Sequence, residues 1–97
     1  MSVYVDEMIP CVPNPRWPWT ESCHLIADNE DELNECACRI GLKREWLQKS
    51  RAGIYHYDLT RAMRQRAVAA GARQVDRSEF WNIVHRRLVY LRKRGRR

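Results

Sequence analysis

Ser22-Cys23-His24-Leu25-Ile26-Ala27-Asp28 runs directly into Asn29-Glu30-Asp31-Glu32-Leu33, and this junction decides the fold class. The first part alternates with period two, setting His24, Ile26 and Asp28 opposite Cys23, Leu25 and Ala27, as in a strand with two distinct faces. The second part opens a helix. Asn29 with Glu32 three residues on fits a capping box, the acids Glu30, Asp31 and Glu32 suit a helix N-terminus, and Leu33, Ala37 and Ile40 form an i, i+4, i+7 stripe that stops before Gly41.

The same alternation extends to both sides. Ser2-Val3-Tyr4-Val5 reads as a strand with Val3 and Val5 on one face and Tyr4 and Asp6 on the other. Arg44 to Gln48 is a candidate third strand and Ala72 to Val75 a brief fourth. A second helix is expected to start near Asp58, with Leu59, Ala62, Met63, Ala67 and Ala70 as its apolar stripe and Gly71 as a left-handed terminator. Ser78 is the expected N-cap of a last helix carrying Phe80, Trp81, Val84, Leu88 and Leu91 at helical spacing. The sum is an α/β fold, a three- or four-stranded sheet packed with two to three helices. Residues 1–76 form the core domain and 77–97 a basic amphipathic C-terminal helix and tail. Between the first two strands, Pro10 to Trp19 holds four prolines with Arg16, Trp17 and Trp19, and is expected to be an extended loop that links strands without forming one.

Ninety-seven residues support one modest core. The net charge of +6 is unevenly placed: residues 1–85 hold eleven Lys/Arg against twelve Asp/Glu, a net −1, while residues 86–97 hold seven cations and no acid. That asymmetry favours a polyanionic partner. Arg86, Arg87, Arg92, Lys93, Arg94, Arg96 and Arg97 would neutralise up to seven phosphates of DNA or RNA, with a slope of log affinity against log salt near −6, about −0.9 per contact on duplex DNA. A membrane surface is disfavoured because Phe80 and Trp81 are needed in the core. Arg16, Trp17 and Trp19 form a candidate interaction loop able to stack on bases or on a partner protein, or else to close a sheet edge.

No basic segment followed by an apolar run opens the chain and no stretch approaches the ~20 apolar residues of a membrane span, so a cytoplasmic protein with reduced thiols at Cys11, Cys23, Cys36 and Cys38 is expected. Cys36 and Cys38, two apart on a helix, diverge by ~200° and do not chelate one ion, so no structural zinc is assigned. Walker loops, dinucleotide fingerprints and nucleophile elbows are missing from the sequence, which names no cofactor.

Ligands of open α/β sheets collect at the carboxyl ends of strands. On that rule Asp6, His24, Asp28, His56 and Asp58 form the candidate pocket, supplying carboxylates and imidazoles for a metal or for proton transfer. Each has a plain structural alternative: Asp28 and Asp58 as helix caps, His24 as a hydrogen-bonded strand residue. Three functions follow. The leading one is nucleic-acid binding, or binding to a nucleic-acid-associated complex, through the basic helix. The others are a metal-dependent hydrolase or nuclease, with Asp6, Asp28 and Asp58 on a hard cation and His24 or His56 as base, and an inhibitor or adaptor that grips another protein through the basic tail and the Trp-Pro-Trp loop.

The ordered segments Val3-Tyr4-Val5-Asp6, Cys23 to Asp28 with Glu32-Leu33, Arg39-Ile40-Gly41-Leu42, Arg44-Glu45-Trp46, Gln48, His56-Tyr57-Asp58-Leu59 and Ala69-Ala70-Gly71-Ala72 resemble domain-of-unknown-function family 4031 over about residues 3–75. The resemblance implies a bacterial, prophage or phage source and no assigned activity; with a phage source, the third function becomes that of a phage-encoded inhibitor or adaptor of a host protein. Members of that family often carry a histidine after the Glu-Leu pair, where this chain has Asn34, and the proline-tryptophan loop and the helix from Ser78 onward look like additions.

Overall fold

The computed structural model describes residues 2–95. Its elements are β1 (Val3–Val5), β2 (Ile9–Pro10), β3 (Glu21–Ala27), α1 (Glu30–Arg39), β4 (Gln48–Lys49), β5 (Tyr55–Leu59), α2 (Arg61–Ala69), β6 (Arg73–Gln74) and α3 (Arg77–Gly95). The α/β class holds, but the mixed sheet has six strands where three or four were expected: β2 is a two-residue strand too short to show a period, and β5 takes Asp58 and Leu59, which were expected to open the second helix. The order is β4-β5-β3-β1-β6, with β2 also paired to β3; β6 is parallel to β1 and the other pairings are antiparallel.

Alternation along the strands makes two cores. On one face Val3, Val5, Cys23, Leu25, Tyr57 and Leu59 are buried against Leu33, Cys36, Ala37 and Ile40 of α1 and Ala67 of α2. On the other face Tyr4, Ile26, Ile54 and Val75 pack with Ile83 and Val84 of α3, flanked by Phe80, Leu88 and Leu91. Helix α3 is therefore the second cover of the sheet. Trp81, placed in its apolar stripe from the sequence, is instead 61% exposed. The buried phase is set by Phe80, Ile83 and Val84, and one residue of offset turns a side chain ~100° away.

Helix starts follow the side chains that satisfy free N–H groups. Asn29 Oδ1 accepts from Glu32 N, as the capping box requires, but Glu32 accepts from Ser2 N and so ties the first strand to α1. The cap of α2 is Thr60, whose Oγ1 accepts from Met63 N. Asp58 is not the cap, because pairing of Cys23 with Leu59 carries β5 past it. The cap of α3 is Asp76, whose carboxylate accepts from Glu79 N, rather than Ser78. At the end of α2, Gly71 has φ 107°, a conformation that L side chains resist, and Ala72 N returns to Ala67 O, as the sequence predicts for a left-handed terminator.

Arg44 to Gln48 is not one strand. Arg44–Trp46 is a single 3-10 turn and only Gln48–Lys49 pairs with β5. The 10–19 segment forms more structure than expected: β2 pairs with the start of β3, Cys11 N bonds Thr20 O, and Asn14 and Trp17 close a tight turn through reciprocal backbone bonds, with Asn14 Oδ1 accepting from Arg16 N and Trp17 N. It is a hairpin arm, which Pro15 tolerates because it occupies the first corner position of the turn.

Candidate functional site: an Asp–His cluster beneath α3

Between the pairs Val5–Leu25 and Ile9–Ser22, three residues of the first edge (Asp6, Glu7, Met8) oppose two of β3 (Cys23, His24). The extra residue makes a bulge, which breaks the backbone ladder and re-aims the side chain beside it. Asp6, 5% exposed, fills the break. Its Oδ1 accepts the His24 backbone N–H at 2.6 Å and its Oδ2 the His24 ring Nδ1 at 2.9 Å, while its carbonyl accepts Arg64 Nε at 2.8 Å.

The β3–β5 register then sets Asp58 opposite His24, and period two puts His56 on the same face. Asp58 Oδ1 lies 3.9 Å from His24 Nε2 and 3.7 Å from His56 Nε2. Asp58 Oδ2 accepts from Gln48 Nε2 at 2.7 Å, and His56 Nδ1 lies 3.3 Å from Ile54 O. Phe80 of α3 stacks on the His24 ring, centroids 5.7 Å apart. The hydrogen bond that the His24 ring donates to Asp6 raises the His24 pKa; burial opposes this, and the charges of Asp6 and Asp58 add to it. Burial pushes the neighbouring Cys23 thiol up to about 12, helped by Asp6. Beside His24 a cleft of about 330 Å³ opens between Asp6 to Pro10 and the start of α3, lined also by Arg77, Phe80 and Trp81.

Asp6, His24, His56 and Asp58 are thus brought together, and Asp28 is not. β3 runs against β1 and β5, so its carboxyl end lies at the other end of the sheet, four residues and ~13 Å of strand from His24. There Asp28 accepts from Tyr4 Oη at 3.1 Å. Gln48 and Phe80, which orient the cluster, carried no signal in the sequence; each reaches it only through tertiary pairing. Asn34 accepts from Tyr57 Oη at 2.8 Å, against the face of the sheet remote from the cluster.

On α3, Arg86, Arg92, Lys93 and Arg94 are exposed and Arg87 is half-buried, its guanidinium 5.1 Å from the Tyr90 ring centroid. None of the five forms an ion pair among the described residues. Arg87 and Arg94 also line a cleft of about 420 Å³ with Lys49, extending the basic surface toward the β4–β5 turn. Arg96 and Arg97 lie outside the described residues. In the hairpin arm Trp17 Nε1 donates to Glu21 O and its ring meets Trp19 edge-on at 4.8 Å, leaving Arg16 and Trp19 exposed, Trp19 by 49%.

The four cysteines are free thiols, and no described helix is long and apolar enough to cross a membrane. Compared with curated proteins and with solved structures, the chain matches none. The family described as "Protein of unknown function (DUF4031)" matches residues 3–87. The match includes the hairpin arm and the first half of α3, so neither lies outside the family's span, as the shorter resemblance had suggested. With 85 of 97 residues inside that span, the chain belongs to the DUF4031 family.

Proposed function

We propose that this protein binds nucleic acid through α3. The observation that carries the reading is the row of five described cations from Arg86 to Arg94, without acidic partners and interleaved with the exposed Tyr90. Unpaired guanidinium and ammonium groups on a rigid helix release counterions from a phosphate backbone, and an exposed aromatic ring offers a stacking surface for unpaired bases. Such binding tracks the backbone and is largely independent of sequence.

The test is fluorescence anisotropy of the full chain with duplex DNA, single-stranded DNA and RNA over a salt series. Leu88 and Leu91 pack against the core, so substitutions are preferable to truncation. Five contacts give a duplex slope near −4.5, a loss of about 500-fold between 50 and 200 mM salt, and Arg92→Ser with Arg94→Ser lowers the slope by about 1.8. Absence of binding at low salt, or an unchanged slope in the double variant, overturns the reading.

A second reading rests on the hairpin arm, whose Val12 (86% exposed) and Trp19 offer a partner protein an apolar tip. Trp19→Ser would then abolish capture of that protein while leaving nucleic-acid binding intact.

A further inference from the structure

We propose that the cleft between α3 and the β4–β5 turn binds the phosphate monoester of a nucleotide, either free or at the end of a strand. That the ester is a nucleotide rests on nucleic-acid binding by α3; that it is a monoester follows from the cleft itself.

The cleft, of about 420 Å³, forms at one end of the sheet. There β3 stops at Ala27 and β5 starts at Tyr55, so Leu33 of α1 and Leu91 of α3, which cover opposite faces, line one space. Arg87, Leu91 and Arg94 recur at i, i+4, i+7 and share one side of α3. Leu91 packs against the core, which turns both arginines toward the cleft rather than away from it. Lys49 comes from the opposite wall. It is the register partner of Tyr55, its Nζ lies 5.2 Å from the Tyr55 ring centroid, and a Cβ on Gly53 would meet its Cε at 3.9 Å.

Two of the three cations are thus seated on rings, Lys49 on Tyr55 and Arg87 on Tyr90. An aromatic face attracts a cation through its quadrupole and accepts none of its strong hydrogen bonds, so the donors stay free. None of the three forms an ion pair among the described residues. Like charges around one space repel, and an anion held between them relieves the repulsion.

The acid in the lining is Glu30, 4.0 Å from Arg44, which lies outside the cleft. Three cations against one acid leave a net charge of +2. A phosphate monoester matches this, carrying about −1.5 to −2 near pH 7, whereas a backbone diester carries a single charge. Its terminal oxygens accept from guanidinium and ammonium groups alike. Leu33, Ile54 and Leu91 leave an apolar floor for the sugar and base, and the volume lies in the range of small-ligand pockets, roughly 300–1,000 Å³. Arg86, Arg92 and Lys93 lie outside the cleft and remain for the diester backbone.

The experiment is calorimetric titration of the full-length protein at low salt with adenosine 5′-monophosphate and 3′-monophosphate, with adenosine as the control. One nucleotide per chain is expected, and adenosine should not saturate. Lys49→Ala and Arg94→Ala should each weaken binding about 10-fold through loss of a charge-assisted hydrogen bond. Lys49→Arg should restore it, and Lys43→Ala, which removes an equal charge outside the cleft, should change nothing. Anisotropy of a short single strand with phosphate or hydroxyl ends separates the two sources. Binding of the phosphorylated strand at least ~10-fold tighter assigns the strand end; equal binding of both strands, with saturation by the mononucleotide, assigns the free nucleotide. The salt slope of the hydroxyl-ended strand tests nucleic-acid binding by α3 alone, so the two readings fail separately. No saturation at millimolar mononucleotide together with no preference for the phosphorylated strand, equal affinity for adenosine, or affinity unchanged in both Lys49→Ala and Arg94→Ala overturns the proposal.

Discussion

Asp6→Asn tests whether the bulge and its carboxylate hold the first two strands in place. The wild-type side chain is 7% exposed and makes two bonds, to the His24 backbone N–H and to its ring. Hydrogen bonds to charged groups contribute ~1.5–3 kcal/mol each. Asparagine has the same shape but one acceptor and one donor, so one bond survives in neutral form and an NH₂ group faces an N–H. Removing a buried charge offsets part of this loss, and the His24 ring is 36% exposed, which screens its share. The expected destabilisation is about 2 kcal/mol at pH 5.5, a large fraction of the ~5–15 kcal/mol typical of a domain.

The pH dependence follows from the direction of the shift. His24 has its pKa raised above 6.5 in the folded state. The contribution of its charged form is fully present below that value and is lost as pH rises through the raised one. The variant should therefore lie closest to wild type at high pH, with a gap of about 1 kcal/mol at pH 9, where the ring is neutral and its ion pair with Asp6 no longer adds to the hydrogen bonds. Urea denaturation at both pH values with EDTA present measures this, and the His24 proton resonance should titrate at lower pH in the variant. A gap under about 0.5 kcal/mol at both pH values, or one that widens with pH, refutes the reasoning.

Two further outcomes concern the other face of the sheet. Tyr57→Phe deletes the hydroxyl that bonds Asn34 and should cost ~1 kcal/mol in denaturant unfolding, with little change at the Asp–His cluster because the two lie on opposite faces. Cys23, buried and pushed up to about 12, and the buried Cys36 should resist a thiol reagent until the protein unfolds, whereas the exposed Cys38 reacts in the native state, so labelling of Cys23 before Cys38 would contradict the packing.

The elements legible in the sequence are those whose signal is local. Leu33, Ala37 and Ile40 on α1, the alternation of β3 and the stop at Gly71 each need only a few neighbouring residues, and all are found as read. What was not legible depends on partners distant in the chain. β2 and β5 exist because β3 offers each an unpaired backbone, and a bulge is a property of two strands at once. The same limit explains the candidate site. The rule that ligands collect at the carboxyl ends of strands grouped Asp6, His24, Asp28, His56 and Asp58, but strand direction decides which end of the sheet a residue occupies, and an antiparallel β3 carries Asp28 away from the others.

The cluster's geometry is tied to the core by that same alternation. Cys23 and Leu25 flank His24, and Tyr57 and Leu59 flank Asp58; all four flanking residues are at most 1% exposed on the opposite face. Slippage of either strand by one residue would expose these side chains and bury the charged ones, losing on the order of 1.5–3 kcal/mol for each large apolar group brought into water. The separations among His24, His56 and Asp58 are thus maintained by the hydrophobic register of the sheet rather than by their own weak contacts at 3.7 and 3.9 Å. A cavity on the far face, as in Leu25→Ala, should therefore loosen the cluster without touching it, because the strand that carries His24 is positioned by Leu25.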